Sequence, residues 1–271
     1  MAQANSVSNT AKHGFKLPPI VVIIVALIVA ELVFNLIFGN VSHFTNETKK
    51  TAKQGDLIGL IYKGGFIVPF LMTMLIMVIT FSIERLLTIS KAAGTGSIET
   101  FLQNVKAKLS TNDINGALAE CNKQKGSVAN VVQSGLRKYS EMERDTELTG
   151  EQKVLNIQKE VEESTSLELP SLEQNLPILA TIATIGTLIA LLGTVIGMIK
   201  AFSALATTGN PDPTELSQGI SEALVNTAFG ISTSAFAIIA YNFFTSKIDK
   251  LTYAIDEIGY SLSQSFASRK H

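Results

Sequence analysis

Three stretches of this sequence run for 19 to 24 residues without a charged side chain. They cover residues 65–83, 176–199 and 223–246. A helix needs about 20 apolar residues to cross the hydrocarbon core of a bilayer. A water-soluble core does not require uninterrupted runs of that length. The three stretches therefore predict membrane-spanning helices.

A fourth apolar stretch, residues 20–38, is interrupted by Glu31 and Asn35. Lys12 and Lys16 precede it, so it also resembles a secretory signal peptide. The run is longer than a usual signal core, and no small-x-small cleavage site follows it, which favours a retained span. An intramembrane carboxylate such as Glu31 is a functional candidate, because burying its charge in lipid is costly. An interfacial position for Glu31 is the plainer interpretation, and we favour it.

Charge is scarce and unevenly distributed. Charged residues make up 17% of the chain, against roughly 25% in an ordinary soluble protein, and 25 of the 45 lie in residues 84–175. That distribution excludes a plain soluble globule. A net charge of −1 gives no basic field for nucleic acid.

No motif in the sequence points to enzymatic chemistry. Cys121 is the only cysteine and the three histidines are far apart, so a disulfide or a Cys/His metal site is not expected. Phosphate-loop, HExxH and GxSxG patterns are absent. We expect a protein that is not an enzyme and that holds no metal and no cofactor.

Lysine and arginine counts predict the orientation of the spans. Residues 84–175 carry 11 such side chains and the tail after Ser246 carries four, whereas residues 201–222 carry none. The large middle segment and the C-terminus are thus predicted to be cytoplasmic. The segment 39–64 opposes this assignment, because it holds four lysines on the predicted outer side.

The middle segment is predicted to be helical. Apolar residues recur at helical spacing over residues 98–109, 113–124 and 147–169. Gly94–Ser97 and Gly126–Ser127 are predicted linkers, and the third of these helices is expected to continue into the span that follows. The fold class is therefore an all-α membrane protein, with three core transmembrane helices, an extra N-terminal one and a helical cytoplasmic domain.

The predicted segments follow one another along the chain. They are a cytoplasmic tail (1–19), an extra span (20–38), a periplasmic segment (39–64), a span (65–83), the cytoplasmic domain (84–175), a span (176–204), a periplasmic loop (205–218), a span (219–246) and a cytoplasmic tail (247–271).

The last span has one polar flank. At about 100° per residue, Glu222, Asn226, Thr227 and Thr233 fall within about 140° of the helix circumference. Such a face turns toward a bundle interior or toward a water-filled path. Small and hydroxyl residues also pack membrane helices closely. Pattern alone therefore leaves both a pore and a packing surface open.

Three motifs resemble the ExbB/TolQ family (the MotA/TolQ/ExbB proton channels), and most closely ExbB. Residues 219–231, GISEALVNTAFGI, with AYNF at 240–243, resemble the family's last transmembrane helix. Residues 192–198, LGTVIGM, resemble the preceding helix, and Glu84-Arg85 is similar to a signature at the cytoplasmic exit.

The resemblance implies a proton-channel subunit of a molecular motor in a bacterial inner membrane. Such subunits form homopentamers around an ExbD-type dimer in the pore, and the proton motive force energises a TonB-type protein that serves transport across the outer membrane. By correspondence with the family, Thr194, Glu222 and Thr227 would line the ion path, with Asn226 and Thr233 beside them. Gly193, Gly197 and Gly230 would pack helices, and inner-membrane lipid would surround the assembly.

Two departures from the family pattern keep alternatives open. The proline of the family's last helix is absent from residues 235–241, and the extra N-terminal span resembles the order of a flagellar stator subunit. A TolQ-like, gliding or flagellar stator would share the mechanism. A non-conducting membrane scaffold and a transporter with its own substrate site are alternatives of other classes.

Overall fold

The structure is a computed structural model that describes residues 18–45, 52–53, 55–207 and 213–269. Within these ranges nearly every residue is helical and no strand forms, apart from an isolated bridge between Phe44 and Ala52. The prediction of an all-α protein is confirmed.

Nine α-helices make up the described chain. They are α1 (Pro19–Leu32), α2 (Leu57–Tyr62), α3 (Val68–Ala93), α4 (Ile98–Ser110), α5 (Ile114–Gln124), α6 (Gly126–Arg144), α7 (Gly150–Glu173), α8 (Leu176–Thr207) and α9 (Pro213–Ala267). A π-helical turn, Val33–Phe38, extends α1.

Four of the described helical segments are long and apolar enough to cross a membrane. They begin at Pro19, Gly65, Leu176 and Pro213, as the four predicted spans require. Their hydrophobic side chains are largely exposed, from Ile24 and Ile28 on α1 to Ile238 and Ile239 on α9. In lipid that exposure carries no penalty, because the surroundings are as apolar as the side chains.

The helices form two compact units, and α3, α8 and α9 contribute residues to both. The first unit comprises the described residues up to Met77 together with 190–229. In its core, Ala30 and Phe34 from the first span pack against Val68 and Met72 of α3. The first span therefore shares an apolar core with the start of α3.

The segment after the first span is held by a capping carboxylate. Asp56 accepts hydrogen bonds from the amides of Ile58 and Gly59 at the start of α2, and its other oxygen lies 2.7 Å from Nδ1 of His43. Glu31, exposed on α1, accepts a hydrogen bond from Asn35 at 2.7 Å. One oxygen of the carboxylate that the sequence singled out is thus hydrogen-bonded to an amide four residues away.

The second unit comprises residues 78–189 and 230–269 of the described chain. Buried side chains of α4, α5, α6 and α7 form its core together with the last part of α9. Tyr139 of α6 meets Phe266 in an edge-to-face contact at 4.9 Å. Gly135 allows α6 to approach closely, since an added Cβ would lie 2.8 Å from Val161 and 2.9 Å from Leu262.

Most of the predicted C-terminal tail, 247–271, is helical, because α9 continues without a break to Ala267. Buried apolar residues recur three and four positions apart along this part of the helix, at Ile248, Leu251, Ile255, Ile258 and Leu262. That spacing gives α9 an apolar stripe which packs inside the second unit. The predicted outer loop, 205–218, is also shorter, because α8 extends to Thr207 and α9 begins at Pro213.

Two local predictions in the middle segment are corrected. Gly126 and Ser127 begin α6 instead of forming a linker, and Lys125 before them makes the turn with a φ of 58°. Helix α7 does not continue into the following span. It passes through Pro170 but ends at Glu173, and Asn175 adopts a φ of 68° before α8 begins. A residue in the left-handed region cannot extend a helix, and asparagine tolerates that region well.

The single cysteine lies in the core of the second unit. Burial raises the pKa of the Cys121 thiol to about 12, and only the thiolate reacts with alkylating reagents. We expect native protein at pH 8 to be labelled by a maleimide at least about 100-fold more slowly than an exposed cysteine. The control is Asn122→Cys combined with Cys121→Ala, which moves the thiol to the exposed neighbouring position. Equal labelling rates for the two proteins would contradict the burial.

Candidate ion path and helix clamp

Small residues bring α8 and α9 close together in the first unit. An added Cβ at Gly197 would lie 2.8 Å from the amide nitrogen of Ala223 and 2.8 Å from the carbonyl oxygen of Gly219. One at Gly193 would lie 2.8 Å from the side chain of Asn226. The GxxxG glycines of α8 therefore lie directly on the backbone and side chains of α9, which is how small residues pack membrane helices.

Two threonines meet at one edge of this contact. The hydroxyl oxygens of Thr194 and Thr227 lie within hydrogen-bonding distance of each other. The carbonyl oxygen of Ala190 lies 3.0 Å from the Thr194 hydroxyl, and that of Ala223 lies 3.0 Å from the Thr227 hydroxyl. Each hydroxyl has one proton and two acceptor lone pairs. The pair can therefore share one hydrogen bond and still accept another from a visiting donor.

Thr194 also borders a shallow groove along α8. The groove has a volume of about 560 Å³ and is lined by Thr194, Val195, Met198, Ile199, Phe202, Ser203 and Ala206. The lining is apolar apart from the hydroxyls of Thr194 and Ser203. Thr194 thus lies between the α8–α9 contact and an open face.

Glu222 lies at the opposite edge of the same contact, in an ion pair. Its carboxylate is 2.6 Å from Nζ of Lys200 on α8, and the side-chain exposures are 5% for Glu222 and 50% for Lys200. Gly65 packs against the acid, since an added Cβ would lie 2.5 Å from its Oε1. The ammonium of Lys200 also lies 5.8 Å from the ring centre of Phe66.

Asn226 lies between the two edges and is fully buried. Neither its amide nitrogen nor its amide oxygen has a hydrogen-bond partner among the described residues. A buried amide without partners is unusual in native structures and often marks a site for water. In this unit the polar groups across the α8–α9 contact therefore run in order from Glu222 through Asn226 to Thr227.

The remaining predicted site residues belong to the second unit. Thr233 is fully buried. Gly230 lies near Gly186, where an added Cβ would be 3.7 Å from the Gly230 carbonyl oxygen and 2.6 Å from the hydroxyl of Ser234. The structure thus brings Thr194, Thr227, Glu222 and Asn226 together in the first unit, and Thr233 is a separate buried residue of the second.

Glu84 and Arg85 form a clamp on the break between α7 and α8. Arg85 is only 1% exposed, and its guanidinium donates hydrogen bonds to the carbonyl oxygens of Ser171 (3.1 Å) and Leu172 (3.0 Å). Its Nε donates to Glu84 at 2.6 Å, and Glu84 accepts a further bond from Asn175 at 3.1 Å. The pair satisfies the open carbonyls at the end of α7 and holds the residue that turns the chain.

Sequence reasoning missed two of these features. Lys200 was overlooked because it falls between the charge-free run that ends at Ile199 and the loop that begins at Ala201. A single lysine at the end of an apolar run was the available signal. The contacts of Arg85 with Ser171 and Leu172 join positions 86 and 87 residues apart, and no local pattern marks them.

Comparison with known proteins places part of the chain in a family. Residues 123–257 match the profile of the MotA/TolQ/ExbB proton channel family. The chain therefore carries a domain of this proton channel family, and that domain includes α8, the threonine pair and the ion pair. Glu84 and Arg85 lie outside the matched range.

Individual proteins that resemble the chain are named as TolQ or ExbB-like proteins. The chain is 28% identical over 124 residues to the Tol-Pal system protein TolQ of Pseudomonas aeruginosa, an alignment covering 46% of this chain and 54% of the relative. It is 32% identical over 84 residues to TolQ of Haemophilus influenzae, covering 31% and 37%. A putative biopolymer transport protein, ExbB-like 3 of Synechocystis, is 35% identical over 88 residues, covering 32% and 42%. The chain spans about half or less of the length of these relatives.

The close approach of α8 and α9 is testable by adding volume. We expect Gly197→Val to force the helices apart, because its Cβ would overlap backbone atoms of α9. Overpacking of this kind typically costs about 1–3 kcal/mol. The melting temperature of the purified protein in detergent, followed by circular dichroism, measures the effect. Val195→Leu, on the exposed side of α8, is the matched control and should melt like the parent. An unchanged melting temperature for Gly197→Val would show that the helices do not need this contact.

The clamp at the end of α7 is testable through Arg85. We expect Arg85→Ala to destabilise the second unit by about 2–4 kcal/mol, because two backbone carbonyls lose a charged donor and a buried side chain is removed. Arg85→Lys should recover only part of the loss, since an ammonium lacks the planar fork that reaches several acceptors. Unfolding in denaturant measures both variants, and Arg137→Ala, an exposed arginine of α6, is the control. Equal stability of Arg85→Ala and Arg137→Ala would contradict the clamp.

Proposed function

We propose that this chain is the ion-conducting stator subunit of an inner-membrane motor driven by the proton motive force. The observation that carries the proposal is the Thr194–Thr227 hydroxyl pair, which lies in the domain of the proton channel family. Its Thr194 member borders an open groove on α8. A hydroxyl pair with free acceptor lone pairs solvates a proton or a hydrated ion inside an apolar protein.

The groove beside Thr194 suits a helix from a smaller partner. In this proposal several copies of the chain, five by resemblance to the family, surround an ExbD/TolR-type dimer whose transmembrane helices lie against the α8 grooves. A carboxylic acid on the partner helix would exchange its proton at the threonines. Each proton that crosses 100 mV releases about 2.3 kcal/mol, so several crossings are needed for one substantial movement.

The proposed orientation follows the positive charges. Residues 84–175 and the end of α9 would lie in the cytoplasm, and the segment between the first two spans would lie in the periplasm. The helices of the second unit would then extend the frame of the motor on the cytoplasmic side. The clamp of Glu84 and Arg85 would lie where α3 leaves the bilayer.

For the process that the motor drives, we propose TonB-dependent transport across the outer membrane. This assignment rests on the ExbB-like motifs in α8 and α9 and on the ExbB-like relative. A Tol-Pal role is the second candidate, and the two TolQ relatives favour it. The two candidates share the ion path and differ in the proteins that the motor contacts.

The ion path is tested by removing both hydroxyls while keeping the volume of the side chains. We expect Thr194→Val with Thr227→Val to reduce proton-driven function at least tenfold, because valine fills the space of threonine but cannot hydrogen-bond. The measurement is iron–siderophore uptake in cells, together with co-purification of the small partner. The matched control is Thr181→Val, which removes an exposed hydroxyl elsewhere on α8.

Each outcome of this experiment has a separate meaning. Lost uptake with an intact complex supports an ion path at the threonines and a TonB-type process. Unchanged uptake together with unchanged proton flux through the reconstituted complex overturns the ion path. Unchanged uptake with lost proton flux keeps the ion path and contradicts the TonB assignment.

The process itself is tested by identifying the partners. Affinity purification of the chain from its native membrane, followed by mass spectrometry, should recover an ExbD-type subunit and a TonB-type protein. Recovery of Tol-Pal system proteins instead would replace the first candidate with the second.

A further inference from the structure

Lys200 is the only lysine, arginine or histidine between Lys159 and Lys247 in the sequence. It lies on α8 within the proposed ion-conducting unit, where any fixed positive charge acts on a passing cation. Its ammonium is paired with the buried Glu222 carboxylate at 2.6 Å while its own side chain is half exposed. The lysine is therefore paired with an acid that is almost fully buried in the protein.

The ion pair and the threonine pair lie at opposite edges of the α8–α9 contact. On α9, Glu222 and Thr227 are about 140° apart around the helix, and on α8, Lys200 and Thr194 are about 120° apart. Glu222 leans toward Gly65 at the start of the second span, whereas Thr194 borders the groove. The carboxylate is therefore directed away from the surface where the proposed path runs.

An unpaired ammonium in this position would oppose a cation. Lys200 is six residues from Thr194, or about 9 Å along the helix axis. A unit charge at roughly 10 Å, with an effective dielectric constant of about 20, slows the passage of a cation on the order of tenfold. A fixed positive charge is also how some channels exclude protons and cations.

We propose that Glu222 serves the ion path by neutralising Lys200, and that Lys200 is the residue which makes the acid necessary. In this arrangement the carboxylate is not itself a carrier of the ion. The paired state presents no net charge to the path, and the path closes electrostatically when the ammonium is released. This inference rests on the proposed function, because it concerns the same ion path.

The test compares single and double variants of the full chain, reconstituted with its small partner in vesicles. A potassium diffusion potential drives proton entry, and a trapped pH-sensitive dye reports it. We expect Glu222→Gln to reduce the flux on the order of tenfold by leaving the ammonium unpaired. Adding Lys200→Gln should restore the flux to within about twofold of the parent, since the repelling charge is then gone.

A second comparison does not depend on the assembly of Glu222→Gln alone. In a Lys200→Gln background, the further change Glu222→Gln should alter the flux by less than about twofold. If the carboxylate carried the ion, the same change would abolish the flux. Removing both members of an ion pair with a buried member is usually tolerated better than removing one, so the double variant is expected to fold better than Glu222→Gln alone.

Three further results complete the test. Lys200→Arg should keep the parental flux, because arginine preserves the pair. A double variant as inactive as Glu222→Gln, with its complex intact, would overturn the proposal and make Glu222 a participant in ion transfer. The Thr194→Val with Thr227→Val protein, measured in the same vesicles, separates this inference from the proposed function. If that protein conducts normally, the ion path itself is wrong, whatever the Lys200 variants show.

Discussion

The close contact between α8 and α9 is the constraint on which the site depends. In lipid, apolar side chains gain little by leaving the solvent for a protein interior, so helices associate through van der Waals contact and hydrogen bonds at short range. Gly193 and Gly197 allow the two helices to approach to that short distance. The hydroxyls of Thr194 and Thr227 meet, and Lys200 reaches Glu222, because no side chain separates the two backbones at these positions.

The same contact has two chemically different edges. One edge, at the threonines, is polar without charge and borders an open groove. The other, at the ion pair, holds two full charges that cancel each other. The buried amide of Asn226 lies between them without a protein partner among the described residues. In the function proposed above, a single helix pair therefore combines a surface for a partner helix with an ion pair that keeps this surface free of net charge.

Much of this could be predicted from the sequence, and the failures have physical reasons. The spans were predictable because lipid demands uninterrupted apolar runs, which a sequence displays directly. The glycines and threonines of α8 and α9 were predictable as a group, although the helical wheel of one helix could not separate Glu222 from Thr227 by function. Telling the two residues apart requires knowing their partners on the facing helix α8, which are Lys200 for Glu222 and Thr194 for Thr227. The end of α7 could not be predicted, because the chain turns at Asn175, and the Asn175 side chain is hydrogen-bonded by Glu84 from another part of the sequence.

The glycine that opens the second span shows how far the electrostatics of such a protein extend beyond its charged residues. Gly65 has a φ of 76° and leaves just enough room for the Glu222 carboxylate beside it. Even the smallest side chain at this position would compete with the carboxylate for the same space. Replacing Gly65 by another uncharged residue, more than 150 positions from Glu222 in the sequence, would then disturb the ion pair as a change of charge would. The geometry of the ion pair thus depends on an uncharged residue that a survey of acids and bases would pass over.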